Sequence, residues 1–431
     1  MYIWELQIIG GPFPVIVYSV AAVLLVVLLA RRWRLRSVQA AIIGAALGAG
    51  AATIAVLVAN LTKAFGDDLP DFVLWWSAGA LALVGFALGG IVGARVWRAV
   101  VSVVAAIAFA LAGAVAINAT FGLDPTLGSV FGLPDRPPIT LPTPPAELQG
   151  APAQPLSATW TAPEGMPAKG QRGSAVIPGT ASGFDARPAG VYLPPAALVP
   201  NAPALPLVIM MMGHPGNPDP TVISDVLDAA ASQHDGLAPI VIVADQLGAS
   251  GADTACADSA AYGNARTYVS VDVVAWAKAN LNIIDDPAYW TIAGYSNGGG
   301  CALTFGVRSP QLWKNILSVS GEPYGGSEQV ENITKIIYGG SAAAFEASKP
   351  VNIMAAAPAG TFQGMTAIFT AGADDPEYIA AADGVAAAAK SVGMTVVRYD
   401  VPGAGHTGDA LKGGLIEGFA VLYPLLGLST G

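Results

Sequence analysis

WTIAGYSNGGGCALTFG, residues 290 to 306, is the stretch on which the fold turns. Trp290 to Ala293 form a β-prone apolar run, and Cys301 to Val307 are the small and apolar residues of a buried helix. Between them stands Gly294-Tyr295-Ser296-Asn297-Gly298, a G-x-S-x-G pattern. At a sharp strand-to-helix turn this pattern exposes a serine hydroxyl, and the flanking glycines let strand and helix approach closely. With 51 glycines in 431 residues the spacing alone is a weak signal. Its strand-turn-helix setting gives it meaning.

Outward from that turn, residues 156 to 431 alternate apolar runs with helical stretches, the pattern of one α/β domain built on a mostly parallel sheet. LSATWTA, GSAVIPG and AGVYLP read as early strands. PLVIMMM, APIVIVAD, YWTIAGY, NILSVSG, TAIFTAG and TVVRYDV read as a buried series, with helices at 222–232, 267–281, 298–308 and 377–392. Strands that are apolar throughout are covered on both faces. In such sheets function collects at the carboxyl ends of the strands. The segment from Glu322 to Gly364 lies between two strands and is expected to shape the pocket there, as a wall or a lid.

A serine nucleophile needs a base, and the chain holds three histidines, His214, His234 and His406. His406 follows the last strand in VPGAGHTGD and lies C-terminal to Ser296, as the hydrolase order Ser, Asp, His requires. His234 sits in a polar helix end, SQHDG, and reads as a solvated side chain. His214 as base would invert the chain order. The acid is expected between serine and histidine at a strand end, where TAGADDPEY offers Asp375, with Asp374 as the alternative and Glu377 a more distant one. A carboxylate there accepts the imidazole N–H and stabilises the imidazolium formed when the serine loses its proton. Oxyanion donors are expected from the backbone N–H of Asn297, at the start of the following helix, and of His214, in the loop after PLVIMMM. Cys256 and Cys301, the two cysteines, make no metal-ligand spacing. In an oxidising compartment they are placed to form a disulfide tying a loop to the helix after Ser296, worth about 4 kcal/mol in the loop-entropy account. No cofactor or metal is required by this chemistry.

The first 118 residues differ in kind. A mean hydropathy of +0.55 with 12% charged residues is too apolar for a wholly soluble chain. Four apolar runs, about 12–30, 38–61, 72–94 and 99–117, are each long enough to cross ~30 Å of hydrocarbon. A cleaved signal peptide is disfavoured for the first run, whose N-terminal flank carries Glu5 and no basic residue. Arg31, Arg32, Arg34 and Arg36 follow the first run, Lys63, Asp67, Asp68 and Asp71 the second, and Arg95 and Arg98 the third. Arginine-rich turns stay in the cytoplasm, so the N-terminus and everything after residue 118 are expected outside. Gly44 and Gly48, and Gly85, Gly89 and Gly93, recur at four-residue spacing suited to close helix packing. No charge lies inside the second, third or fourth run, which leaves an ion pathway nothing to use and makes the bundle an anchor. Residues 134 to 155, PDRPPITLPTPPAELQGAPAQP, have the composition of a semi-rigid linker, dividing a membrane domain (1–118) and juxtamembrane segment (119–155) from the domain at 156–431. The net charge of -10 offers no basic footprint for nucleic acid.

MMGHPGNP, ADTACADS, AGYSNGGGCALTFGVRSP, AGADDPEY and VPGAGH together resemble the Putative esterase branch of the α/β-hydrolases, which includes the esterase D type and the mycolyltransferases of actinobacterial envelopes. The resemblance covers about residues 190 to 410. It implies an α/β-hydrolase fold, a Ser296, Asp375, His406 triad, oxyanion donors at His214 and Asn297, and a membrane-anchored, extracytoplasmic enzyme acting on an ester or lipid of a bacterial envelope. The chain departs from the mycolyltransferases in offering aspartate where those enzymes use glutamate. An esterase and an acyltransferase need the same triad and differ in whether water or an alcohol takes the acyl group. A non-catalytic envelope-binding domain is opposed by the intact Ser, Asp and His, and a four-helix transporter by the absence of intramembrane charge.

Overall fold

The computed structural model describes residues 3, 6–31, 34–62, 69, 71–121, 124, 126–131, 137–143, 147–249 and 252–430. Glu5, Arg32, Lys63, Asp67, Asp68 and Pro134, named above, lie outside them. The chain forms two compact units, Met1–Asp135 and Arg136–Gly431.

The first unit is helical: α1 (Pro12–Ala30), α2 (Leu35–Thr62), α3 (Asp71–Gly89) and α4 (Val96–Phe121), each long and apolar enough to cross a bilayer. α1 opens on proline, where a missing N–H costs nothing. α2 and α3 meet backbone to backbone. A Cβ on Gly44 would strike the Gly85 carbonyl, one on Gly48 the Leu81 carbonyl, and one on Gly89 the Ala40 carbonyl. Small residues at this spacing are what let two helices pack so closely. α3 stops at Gly89 where the hydropathy pattern ran to 94, and Gly93 sits in the following turn at φ +67°, off the packed face.

The second unit carries an eight-stranded sheet. Its strands are β1 (Gln171–Ala175), β2 (Ala189–Leu193), β3 (Leu207–Met211), β4 (Ile240–Ala244), β5 (Trp290–Tyr295), β6 (Asn315–Val319), β7 (Thr366–Gly372) and β8 (Thr395–Val401). They lie in the order β1-β2-β4-β3-β5-β6-β7-β8, with β2 antiparallel to β1 and β4, and every other pair parallel. This is the α/β-hydrolase fold. At its centre Ile209 of β3 stands between Ile242 and Ile292, and β3, β4, β6 and β7 are buried along their whole length. β8, read as buried, is half-exposed, because it is the last strand and has a neighbour on one side only.

Helices α5 (Thr221–Ala231), α6 (Val273–Asn280) and α7 (Asn297–Arg308) are followed by three short ones, α8 (Val330–Ile336), α9 (Ala342–Ser348) and α10 (Pro350–Ala356). These fill the segment before β7. α11 (Pro376–Ser391) packs on β7 and β8, and α12 (Gly408–Leu425) on β6, β7 and β8. α12 has no counterpart in the helices expected from sequence. Its glycines weaken the local helix signal, yet Gly414 and Gly418 seat the helix against Thr370, Val319 and Leu317 of the sheet.

Two expectations are corrected. LSATWTA is not a strand: Leu156–Thr159 is a single helical turn after Pro155, and Trp160 donates its indole N–H to the Asp235 carbonyl instead of joining the sheet. Nor does the semi-rigid linker stand clear of the domain it leads into over its described length. Ile139 N–H donates to the Ser174 carbonyl, Ser174 N–H to the Pro137 carbonyl, and Ile139, Leu141 and Leu148 pack on the core of the second unit. An extended Pro-rich chain lacks some donors but keeps carbonyls and alternate N–H groups, enough to pair with the edge strand β1.

Candidate active site

Ser296 stands between β5 and α7 with φ 55° and ψ -121°, a conformation costing on the order of 1–3 kcal/mol that only the surrounding structure can impose. Its N–H donates to the Val319 carbonyl at 3.0 Å, and its carbonyl accepts the N–H groups of Gly299, Gly300 and Glu322. Gly294 and Gly298 make the turn possible, since a Cβ on Gly294 would overlap the Gly298 carbonyl and one on Gly298 the Met211 carbonyl. The serine is 6% exposed, less open than a bare elbow would leave it. His406 and Tyr378 cover it.

His406 Nε2 lies 2.9 Å from Ser296 Oγ, and its Nδ1 lies 3.2 Å from Asp375 Oδ2. With Nδ1 donating to the carboxylate, Nε2 is left to accept the serine proton, a tautomer assigned from these contacts. Asp375 caps α11, its Oδ1 accepting the Tyr378 N–H at 3.4 Å. Asp374, one residue earlier, is exposed, and its backbone N–H donates to the Ala404 carbonyl. The His406 ring is stacked between two tyrosines that sequence reasoning passed over, Tyr378 at 3.9 Å and Tyr295 at 5.3 Å between centroids. Burial, then the nearby Glu328 and Glu322 carboxyls, pushes the Tyr378 hydroxyl well up, so it remains a proton donor, to Glu328 at 2.9 Å. Their positions carried a signal: Tyr295 is the residue before the serine, and Tyr378 lies one helical turn beyond Asp375.

The loop after β3 closes the other side. A Cβ placed on Gly213 would lie 3.3 Å from Ser296 Cβ and 3.7 Å from its Oγ, so this backbone runs directly past the hydroxyl. Asn297 opens α7, and its N–H has no carbonyl of its own helix to bond. Arg187 holds the loop in place: its guanidinium makes a paired contact with the buried Asp245 and donates to the Gly216 carbonyl and Asn217 Oδ1. Gln246 likewise donates to the Met212 carbonyl and to Asn297 Oδ1, linking the loop to the start of α7. The His214 imidazole is half-buried and is not the ring at Ser296. His234 is not simply solvated: it is half-buried against the Tyr423 ring at 4.7 Å.

Cys256 and Cys301 form a disulfide, which ties the loop after β4 to α7. Beside this crosslink the site turns acidic. Glu322 is 3% exposed and takes a hydrogen bond from Ser327, while Asp253 accepts from Ala255 N–H and Asn297 Nδ2. Burial, reinforced by Asp253 and Glu328, pushes the Glu322 carboxyl well above its ordinary range. The folded protein therefore holds this proton at pH values where the unfolded chain has released it, so stability falls as pH rises between the two titrations. The fixed-neutral variant Glu322→Gln is expected to lose less melting temperature than the wild type between pH 5 and pH 8; thermal melts with parallel pH profiles for the two would refute this. Among the described residues no group of three His, Cys, Asp or Glu side chains is placed to hold a metal ion.

Fold and motif define an α/β-hydrolase of the ester-cleaving kind. The family described as Putative esterase matches residues 185–377. An uncharacterized protein of Corynebacterium glutamicum is 31% identical over 410 residues, covering 90% of this chain and 89% of that one. The chain belongs to the Putative esterase family, and is a carboxylic ester hydrolase. Solved structures similar to it include an S-formylglutathione hydrolase from Agrobacterium tumefaciens (16% identity, TM-score 0.47, covering 61% of this chain and 97% of that one). Another is the fluorophosphonate-binding serine hydrolase F of Staphylococcus aureus (15% identity, TM-score 0.46, covering 60% and 99%).

Proposed function

We propose that this esterase is anchored in the cytoplasmic membrane by α1 to α4, faces the extracytoplasmic side, and cleaves an ester of a cell-envelope lipid or glycolipid. The hydrogen-bonded chain from Ser296 through His406 to Asp375 carries the reading. His406 Nε2 takes the Ser296 proton as Oγ attacks the ester carbonyl, and Asp375 stabilises the imidazolium that results. The N–H groups of Asn297 and His214 receive the oxyanion, with the dipole of α7 favouring the charge. The imidazolium then protonates the departing alcohol, leaving an acyl-serine. Water, activated by the same imidazole, releases the acid. An alcohol in place of water would make the site an acyltransferase.

The side of the membrane is supported by the arginines after α1 and α3, which by the positive-inside tendency put the second unit outside, where an oxidising environment suits the Cys256–Cys301 bond. Tethering favours a substrate confined to the same layer, because it raises effective concentration against that substrate. The carboxyls of Asp253 and Glu328, which add to burial in keeping Glu322 protonated, select against negative charge near the scissile bond and favour a neutral or cationic acyl group.

The test combines a substrate panel with a topology assay. p-Nitrophenyl esters bearing neutral or α-amino acyl chains are expected to turn over at least about tenfold faster than carboxylated ones of equal length. Equal rates would remove the charge preference. Addition of a long-chain alcohol reports transfer as a new ester product. Protease added to intact spheroplasts is expected to degrade the second unit, and its protection would overturn the topology. Lipid extracts of a deletion strain should accumulate an ester or lack an acylated product; unchanged lipids would exclude the envelope-lipid substrate.

A further inference from the structure

At the end of the helical unit where α1 and α3 finish and α2 and α4 begin, Arg31, Arg34, Arg95 and Arg98 line one cavity of 280 Å³ together with Ser37, Gly90, Gly93 and Ala94. Orientation of the chain in a membrane needs arginines near this end, but does not need them around a common hollow. The hollow is held by specific bonds. Arg31 donates to Ser102 Oγ of α4 and to the Gly90 carbonyl, both at 3.0 Å, and Ser37 Oγ of α2 donates to the Val92 carbonyl at 2.6 Å. Arg31 and Arg98 are half-buried, whereas Arg34 and Arg95 are exposed at the rim. Among the described residues no carboxylate lines the cavity. Four guanidinium groups sharing a small volume repel one another, and the N-terminal ends of α2 and α4, which open here, add positive potential. An anion relieves both. Guanidinium groups pair with phosphate through two parallel N–H donors, and basic hollows between membrane helices at headgroup depth are suited to phosphate-bearing lipids.

We propose that this cavity binds a phosphate group, carried by an anionic phospholipid of the adjoining leaflet or by a soluble phosphorylated compound. It is independent of the ester-cleaving site and lies at the end of the bundle opposite the one from which the chain continues toward the second unit. An occupant there fixes the four helix ends relative to one another and couples the anchor to the lipid composition of that leaflet.

The experiment uses the full chain. Protein reconstituted in phosphatidylcholine nanodiscs with about one tenth phosphatidylglycerol is released and examined by native mass spectrometry for retained lipid. In parallel, protein in pure phosphatidylcholine is titrated with inorganic phosphate and with glycerol phosphate while its melting temperature is followed. Each measurement is repeated on the double variant Arg34→Gln/Arg95→Gln, whose side chains make no hydrogen bond or ion pair among the described residues. It is also repeated on Arg36→Gln/Arg172→Gln, which removes the same charge from residues that do not line the cavity. Retained phosphatidylglycerol is expected on the wild type and the control, reduced at least fivefold on the double variant, and identifies the lipid source. A melting shift with the soluble phosphates, lost in the same variant, identifies the soluble one. If the double variant fails to insert, the two single variants are each expected to fall partway. Equal occupancy in variant and control, or no phosphate-bearing ligand on the wild type by either arm, would overturn the proposal.

Discussion

Ser296→Ala is expected to lower kcat/KM on any ester substrate by roughly 10⁴- to 10⁶-fold, the scale on which serine hydrolases lose rate when the nucleophile is removed. The same change should abolish covalent labelling by a fluorophosphonate probe. Little of the fold depends on the hydroxyl: among the described residues its side-chain partners are His406 Nε2 and the Tyr378 hydroxyl, while the strained backbone is held by the Val319 carbonyl and by the three N–H groups that bond the Ser296 carbonyl. Alanine keeps all of these main-chain bonds and has the same Cβ, so the melting temperature should stay within a few degrees, a change of about 1 kcal/mol or less. Loss of activity with an unchanged melt isolates chemistry from folding. Labelling that persists in Ser296→Ala would place the nucleophile elsewhere in the chain.

What the sequence disclosed follows from the range over which each feature is specified. The strand, turn and helix around Ser296 are set by seventeen consecutive residues, 290 to 306, and Gly294 and Gly298 are needed by contacts within that run or with the adjacent β3. The apolar strands read clearly because strands buried on both faces are written as uninterrupted apolar runs. The half-exposed β8 read as buried on the strength of Val396, Val397, Tyr399 and Val401, although Arg398 and Asp400 mark it as the edge strand that it is. Features built from distant partners were silent. Arg187 meets Asp245 across 58 positions and carries no local mark of that role, and Tyr378 meets Glu328 across 50, with only its place one turn beyond Asp375 to point toward the site. Glu322 looked like the start of an unreadable segment, and only the folded chain shows it buried beneath the elbow with Asp253 and Glu328 nearby. α12 was hidden by its own glycines, whose value lies in tertiary contact and not in helix propensity.

The choice between neighbouring acids was beyond composition or spacing, and the structure turns it into a sharp experiment. Asp375→Asn is expected to cost about 10⁴-fold in kcat, the scale seen when a triad aspartate becomes an amide, whereas Asp374→Asn should stay within about threefold of wild type. An asparagine at 375 keeps an oxygen for the Tyr378 N–H, so α11 stays capped and the fold is preserved. Its amide can instead present N–H donors to His406 Nδ1, 3.2 Å from the present carboxylate oxygen. The imidazole then carries its proton on Nε2, facing Ser296 Oγ at 2.9 Å as a donor and unable to accept the serine proton. Asp374 has no such hold on the ring: its side chain is exposed, and its structural bond to Ala404 is made by the backbone, which the substitution leaves intact. Steady-state rates on p-nitrophenyl acetate for both variants, with circular dichroism to establish that each is folded, decide the matter. A larger loss at 374 than at 375 would transfer the acid's role to Asp374, and equal small losses would mean that the tyrosine stack on His406 orients the imidazole without a carboxylate.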